Sequence, residues 1–288
     1  TLSSSGGTTC TACDAGRYSA VSTDGCVDCA AGSVTDTLSS SGGTTCSACD
    51  AGRYSAVSTD ACVECGAGSV TDTLSSSGAS SCSACEAGRY SPGSTDACID
   101  CAAGSITETL SSSGASSCTA CDAGRFSTAP TEACGDCDAG QYMEWSGGTA
   151  CLQCAPGRFV EVTGSDDDAD CVECAPGSVT NTLAGAGAVS CTACEAGQFT
   201  ADSKMSCTPC GAGSVTDTLA SSGASSCSAC EPGRYSTVST DACVECGPGS
   251  VTDTLSSSGG TTCTACDVGR YSAVSTDGCV DCAAGSVT

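Results

Sequence analysis

Every one of the 32 cysteines belongs to a Cys-x-x-Cys pair, and the sixteen pairs are regularly spaced. The first cysteine of each pair stands at 10, 26, 46, 62, 82, 98, 118, 134, 151, 171, 191, 207, 227, 243, 263 and 279. Steps of 16 and 20 alternate, so the period is 36 residues and fits eight times into the 288-residue chain. Self-similarity at a fixed period of this length marks an array in which each unit touches its neighbours and no single core forms. The expected organisation is a partial unit over 1–9 and repeats at 10–45, 46–81 and 82–117. Irregular repeats follow at 118–150 and 151–190, then regular ones at 191–226 and 227–262, and a partial one at 263–288. The opening Thr1-Leu2-Ser3-Ser4-Ser5 reads as the middle of a repeat taken from a longer polypeptide.

Each unit has two related halves. The short half runs Cys49-Asp50-Ala51-Gly52-Arg53-Tyr54-Ser55 and on to Cys62; the long half runs Cys65-Gly66-Ala67-Gly68-Ser69-Val70-Thr71-Asp72-Thr73-Leu74 and on to Cys82. No window carries a 3.6-residue apolar period, and glycine recurs too often for helix. Segments such as Arg17-Tyr18-Ser19-Ala20-Val21 and Ser33-Val34-Thr35-Asp36-Thr37-Leu38 predict strands of two to four residues. Gly16 and Gly32 are placed in turns that need positive φ. The fold class expected is therefore small disulfide-rich repeats, an elongated rod or solenoid with short β-hairpins and little regular secondary structure.

Composition narrows the class further. Three Phe, six Tyr and one Trp cannot supply a conventional core, so covalent cross-links or metal must hold the chain. Eight basic residues against 33 acidic ones give a formal charge of −25, the wrong sign for nucleic acid or an anionic membrane surface. No run of 18 apolar residues exists, so no membrane insertion is expected of this segment. There is no His and only one Lys, Lys204. Nucleophile elbows and glycine-rich phosphate loops are missing, and a thin rod offers no cleft to shift carboxylate pKa values, so no enzyme activity is expected.

Three chemistries suit the cysteines. Disulfide cross-linking is typical of small extracellular modules without a core, and each closed loop contributes about 3 kcal/mol in the chain-entropy model. Four-thiolate zinc sites fit the Cys-x2-Cys-x12-Cys-x2-Cys spacing, but the basic or aromatic surfaces of intracellular zinc arrays are absent. Thioredoxin-type redox chemistry lacks its βαβ setting. Disulfides are the reading adopted. Two pairings satisfy it: parallel, with Cys10–Cys26 and Cys13–Cys29, or a running ladder of Cys13–Cys26, Cys29–Cys46, Cys49–Cys62 and Cys65–Cys82. The ladder treats both halves alike, as their shared Cys-x-x-Gly start favours, and leaves Cys10 and Cys282 without partners within the segment.

The run Cys13-Asp14-Ala15-Gly16-Arg17-Tyr18-Ser19, closing at Cys26 and followed by Cys29-Ala30-Ala31-Gly32-Ser33, resembles the ephrin-receptor-like cysteine-rich repeat. It is also similar to the first cysteine-loop module of tumour-necrosis-factor-receptor-type domains. Cys-x-x-Gly-x-Tyr recurs at Gly52/Tyr54, Gly88/Tyr90, Gly233/Tyr235 and Gly269/Tyr271, and an aromatic survives at Phe126, Tyr142, Phe159 and Phe199. The family's Pro, separated from the Cys by one residue, is mostly Ala here but present as Pro156, Pro176, Pro232 and Pro248. The resemblance implies a disulfide ladder down a rod, with the aromatic packed across a neighbouring loop. Such repeats occur in receptors, matrix proteins and long surface or appendage proteins of protists and algae.

The aromatics Tyr18, Tyr54, Tyr90, Phe126, Tyr142, Phe159, Phe199, Tyr235 and Tyr271 always follow Arg or Gln. Their near-constancy favours a packing role over a ligand stripe, with the Arg stem lying along the ring. Leu38, Leu74, Leu110, Leu183, Leu219 and Leu255 recur once per unit, either capping the long loop or forming contacts between rods. The middle, 134–174, departs from the pattern: one extra residue, Met143, Trp145, and two successive aromatic halves. It reads as a register fault that alters twist; the sharper alternatives are docking at Trp145 or weak calcium binding by Asp166, Asp167, Asp168 and Asp170. That run lacks the ligand spacing and Glu of an EF-hand.

Asn181 opens no glycosylation sequon, but 12 of the 36 residues from Cys10 to Thr45 are Ser or Thr. Ser39, Ser40, Ser41, Thr44 and Thr45 are the candidate O-glycosylation sites. The function expected is an extracellular structural protein of a filament, appendage, wall or surface coat, self-associating and O-glycosylated, without a cofactor. The alternative is the stalk or ligand-binding ectodomain of a receptor or adhesin.

Overall fold

The computed structural model describes residue 7 and residues 9–286. Its chain folds as a succession of hairpins, each a two-stranded antiparallel sheet closed by one disulfide. Short-half hairpins pair strands of two residues, as in Arg17–Tyr18 with Val27–Asp28, Arg17 standing opposite Asp28 and Tyr18 opposite Val27. Long-half hairpins pair strands of three, as in Ser33–Thr35 with Cys46–Ala48. Among the described residues the sheets are all two-stranded, so no continuous solenoid sheet or closed barrel forms. The one helical element among the described residues is a 3-10 turn at Asp168–Asp170.

The disulfides form a running ladder. Cys13–Cys26, Cys29–Cys46, Cys49–Cys62 and Cys65–Cys82 begin it, and the same scheme continues to Cys266–Cys279. Cα separations of 5.6–5.8 Å lie in the usual disulfide range. Each Cys-x-x-Cys therefore closes one hairpin with its first cysteine and opens the next with its second. Cys10 and Cys282 are unpaired among the described residues.

The chain divides into two compact units. One holds residues up to Asp136 with Trp145–Ala150, and the other Cys137–Glu144 with the residues from Cys151 on. Within each unit every hairpin meets the next ones along the chain through backbone hydrogen bonds rather than strand ladders. In the first unit, Gly32 N–H donates to Ser55 C=O at 3.0 Å, Thr35 N–H to Ser58 C=O at 3.2 Å and Ser19 N–H to Gly43 C=O at 3.1 Å. In the second, Gly213 N–H donates to Ser236 C=O and Thr216 N–H to Ser239 C=O, both at 3.1 Å. What little is buried lies at these junctions: half-cystines, small residues such as Ala79, Ala115 and Ala224, and the threonines Thr35, Thr71 and Thr216.

Candidate functional site

The feature the chain repeats most faithfully is the junction between hairpins. Gly68 carries φ +77°, and a Cβ there would lie 1.9 Å from Gly114 O. Glycine is thus required twice over, by backbone conformation and by the approach of the next loop's backbone. The same contact joins Gly32 to Gly78, Gly104 to Gly147, Gly140 to Gly187, Gly177 to Gly223 and Gly213 to Gly259. Glycines of the short halves meet side chains instead: Gly16 lies under Ser58, whose hydroxyl donates to Gly16 C=O at 3.1 Å.

The long loop is shaped to reach back to the hairpin before it. Its tip returns to the aromatic strand through a parallel bridge, Tyr18 with Gly43, Tyr54 with Ala79, Tyr90 with Ala115, and Tyr235 with Gly260. Gly42 N–H adds a bond to Cys13 C=O at 2.7 Å. Two devices hold the loop in shape. Asp36 accepts from the Thr44 N–H at 2.9 Å and from its hydroxyl, and Thr35 Oγ1 donates to Leu38 C=O at 3.2 Å. The hydroxyl of Thr44, then its N–H, holds the Asp36 carboxyl below the ordinary carboxylate value. Asp72, Asp217 and Asp253 are lowered in the same way, first by the hydroxyls of Ser80, Ser225 and Thr261. Glu108, gripped by the hydroxyls of Ser116 and Ser117, is pulled down to about 2. In the irregular fifth repeat Asn181 takes the place of the acid and accepts from Val189 N–H at 3.0 Å.

The leucines differ from a simple cap. Leu38, Leu74, Leu110, Leu183, Leu219 and Leu255 all have φ between 49° and 52°. A γ-branched residue in the left-handed region costs about 1 kcal/mol. Leu219 shows what the side chain does there: with Val215, Ala229 and the Cys230–Cys243 bridge it lines a shallow groove of about 280 Å³.

The arginines are equally committed. Each of the seven stands opposite Asp or Glu in its hairpin: Arg17 opposite Asp28, Arg53 opposite Glu64, Arg89 opposite Asp100, Arg125 opposite Asp136, Arg158 opposite Glu173, Arg234 opposite Glu245, and Arg270 opposite Asp281. Where Gln replaces Arg, at Gln141 and Gln198, the opposite residue is Gln153 or Pro209. Arg17 forms an ion pair with Asp28, at 3.0 Å, and donates a hydrogen bond to Cys26 C=O, at 2.7 Å, so it ties the closing half-cystine to the hairpin's own strand pair.

The aromatics from Tyr18 to Tyr235 are half-buried, and Tyr271 is exposed. Tyr142 packs on a small core made by the Cys154–Cys171 bridge and Val160, so there the ring covers the next hairpin's disulfide. Burial, and then the Asp168 charge, push its phenol up. In the middle, three aromatic hairpins follow one another, carrying Phe126, Tyr142 and Phe159. Each is met by the tip of the following loop, at Gly148, Ser165 and Ala188. The Cys137–Cys151 and Cys154–Cys171 hairpins thus each supply both an aromatic strand and a tip, roles that alternate elsewhere. Met143 is buried there and Trp145 is 54% exposed.

The acidic run is not gathered into a ligand set. Asp167 accepts from Ala169 N–H at 2.8 Å, and Asp168 is bound to Arg158 at 2.7 Å. Asp166 and Asp170 join no cluster of three or more potential ligand side chains among the described residues. Ser39, Ser40 and Ser41 are exposed and their hydroxyls make no hydrogen bond among the described residues. Thr45 is exposed as well, whereas the Thr44 hydroxyl is committed to Asp36. The clamp, the strained leucine and the glycine-on-glycine contact were not expected from the sequence; the Asp to Thr or Ser spacing of eight residues, constant across units, is the signal that carried the first.

Residues 124–171 match the family model described as tyrosine-protein kinase ephrin type A/B receptor-like. The matched stretch covers the three successive aromatic hairpins, the part in which the 36-residue alternation slips. A comparison with curated proteins finds no match. The chain is therefore a tandem array of disulfide-bonded cysteine-rich repeats, similar over residues 124–171 to the ephrin type A/B receptor-like family.

Proposed function

We propose that the chain is an extracellular structural protein, a stiff disulfide-laddered rod of a filament, appendage, wall or surface coat. The observation that carries this reading is the invariance of the junction. The same glycine-on-glycine contact, tip bridge and side-chain clamp recur unit after unit, so what the chain copies is geometry rather than a binding surface. A spacer needs copies; a ligand site needs a departure. On this reading the role is mechanical and not catalytic, the exposed serines of the loop tips carry O-linked glycans, and copies associate side by side or end to end.

The second reading, the stalk or ligand-binding ectodomain of a receptor or adhesin, is favoured by the match over 124–171 and by the exposed Trp145 within it. Electron micrographs and sedimentation of the purified, oxidised chain separate the two. Periodic filaments support the structural reading, and single particles that stay monomeric at high concentration favour the ectodomain.

A further inference from the structure

All eight basic residues stand inside closed loops. Arg17 lies between the half-cystines of Cys13–Cys26, Arg53 between those of Cys49–Cys62 and Lys204 between those of Cys194–Cys207; the other five arginines are enclosed in the same way. The bridges are in series and not nested, so one loop closes before the next opens. Between successive bridges lies a pair of residues, such as Val27-Asp28, Ser47-Ala48 or Val63-Glu64, and none of these pairs holds Lys or Arg. From Val27-Asp28 to Val280-Asp281 every pair lies in the second strand of a hairpin, bonded to the first. A covalent path therefore runs across Cys13–Cys26, along Val27-Asp28, across Cys29–Cys46 and onward without entering a loop. With Cα separations of 5.6–5.8 Å at the bridges and ~3.5 Å per extended residue, it measures about 32 Å per repeat, against about 125 Å along the backbone.

We infer that the continuity of the molecule resides in this path alone: the chain is a tension-bearing strand whose loops can be cut without parting it. Force applied along the chain passes through bridges and two-residue strands. The loops stay slack, because each bridge fixes the two ends of its loop at one short separation. A peptide bond hydrolysed inside a loop leaves two new termini still joined through the bridge. Only a cut within one of the pairs severs the chain, and there the backbone is already committed to its partner strand, which a protease must first displace. Enzymes that cleave after Lys or Arg find every one of their sites in a loop. The exposed, serine-rich loops can therefore be nicked, or carry bulky attachments, while length and strength are kept.

The inference deepens the structural reading above, and its test is independent of assembly. Trypsin should cut the full oxidised chain after all eight basic residues in urea, which opens the junctions and leaves the bridges. Mass spectrometry should then show one species, heavier than the uncut chain by one water per cut, and dithiothreitol should release nine peptides from it, one more than the eight cuts. Held by handles on the thiols of Cys10 and Cys282, the oxidised chain should reach a stretched limit of about 250 Å, cut or uncut. Dithiothreitol, closing to its own cyclic disulfide as each bridge becomes two thiols, should lengthen the uncut chain stepwise. Steps of about 40 Å belong to bridges 13 residues apart and of about 55 Å to those 17 apart. Fragments released without reductant, or an oxidised chain that extends well past 250 Å, would overturn the inference. A chain that gives both expected results but stays monomeric keeps its tension path and loses the filament reading; one that forms filaments but parts under trypsin loses the tension path alone.

Discussion

Replacing Gly68 by alanine isolates the close approach that joins one hairpin to the next. Its φ of +77° costs an L-residue about 1 kcal/mol by itself. The new Cβ would also stand 1.9 Å from Gly114 O and 2.4 Å from Gly114 C, both backbone atoms that no rotamer change can move aside. The two loops must part by more than an ångström. That breaks the Gly68 N–H bond to Ser91 C=O and the Gly114 N–H bond to Cys85 C=O, at 3.1 and 2.7 Å, each worth about 1 kcal/mol. The sum is about 3 kcal/mol, or about a hundredfold in the local opening equilibrium. Gly249 supplies the control: it has φ +76° but open space around its Cβ position in this chain, so Gly249→Ala should cost only the backbone strain, about fivefold. Gly66, with neither a positive φ nor a neighbour, should tolerate alanine without loss. Because each unit contacts only its neighbours, the readout has to be local. Hydrogen exchange of the oxidised protein provides it, through the Thr71 amide, which donates to Ser94 C=O, and the Thr252 amide, which donates to Ser275 C=O. Equal loss of protection at Thr71 in Gly68→Ala and at Thr252 in Gly249→Ala would refute the argument from contact.

Acidification should open the long loops selectively. Their carboxyls are depressed in the folded state, so the stabilisation is complete above the ordinary values of 3.8 for Asp and 4.5 for Glu and disappears as pH falls through the folded ones. Amide resonances of Thr44, Ser80 and Ser225 should shift below pH 3.8, that of Ser116 should persist to about 2, and that of Val189, held by Asn181, should not titrate. Leu219→Ala loses the apolar contact of a half-buried side chain, about 1 kcal/mol, and keeps the strained backbone; Leu219→Asn loses the same contact but relieves about 1 kcal/mol. Amide exchange in the 214–227 loop should therefore rank alanine as the worse of the two. Tyr142→Ala should expose the Cys154–Cys171 bridge and speed its reduction by dithiothreitol about tenfold, whereas Tyr142→Phe, which keeps the ring, should leave the rate near native.

Much of this architecture is legible along the chain because its determinants are local. A two-residue strand, a turn glycine and a half-cystine recur at fixed intervals, so period, hairpin size and the scarcity of helix follow from Cys49-x-x-Gly52-Arg53-Tyr54 and its copies alone. Gly16 and Gly32 could be assigned positive φ because no other residue suits those turns. The choice between the two cysteine pairings was different. Both close loops of similar length; the shared Cys-x-x-Gly start favours the ladder, and the strand register of Tyr18 with Val27 sets Cys13 beside Cys26.

What only the tertiary structure decided are contacts between residues 23 to 46 positions apart, as between Gly32 and Ser55 or Gly32 and Gly78. No local preference encodes them, since they arise when one finished hairpin stacks on another. Stacking turned Gly68 from a turn residue into a backbone contact and buried Ala79 at the end of an exposed loop. It also gave the middle its character. The sequence of 134–174 announces a lost alternation, but only the fold places Tyr142 on its neighbour's disulfide and gives two successive hairpins both tasks. Repeats without a shared core are specified residue by residue within each loop, and by backbone fit between loops.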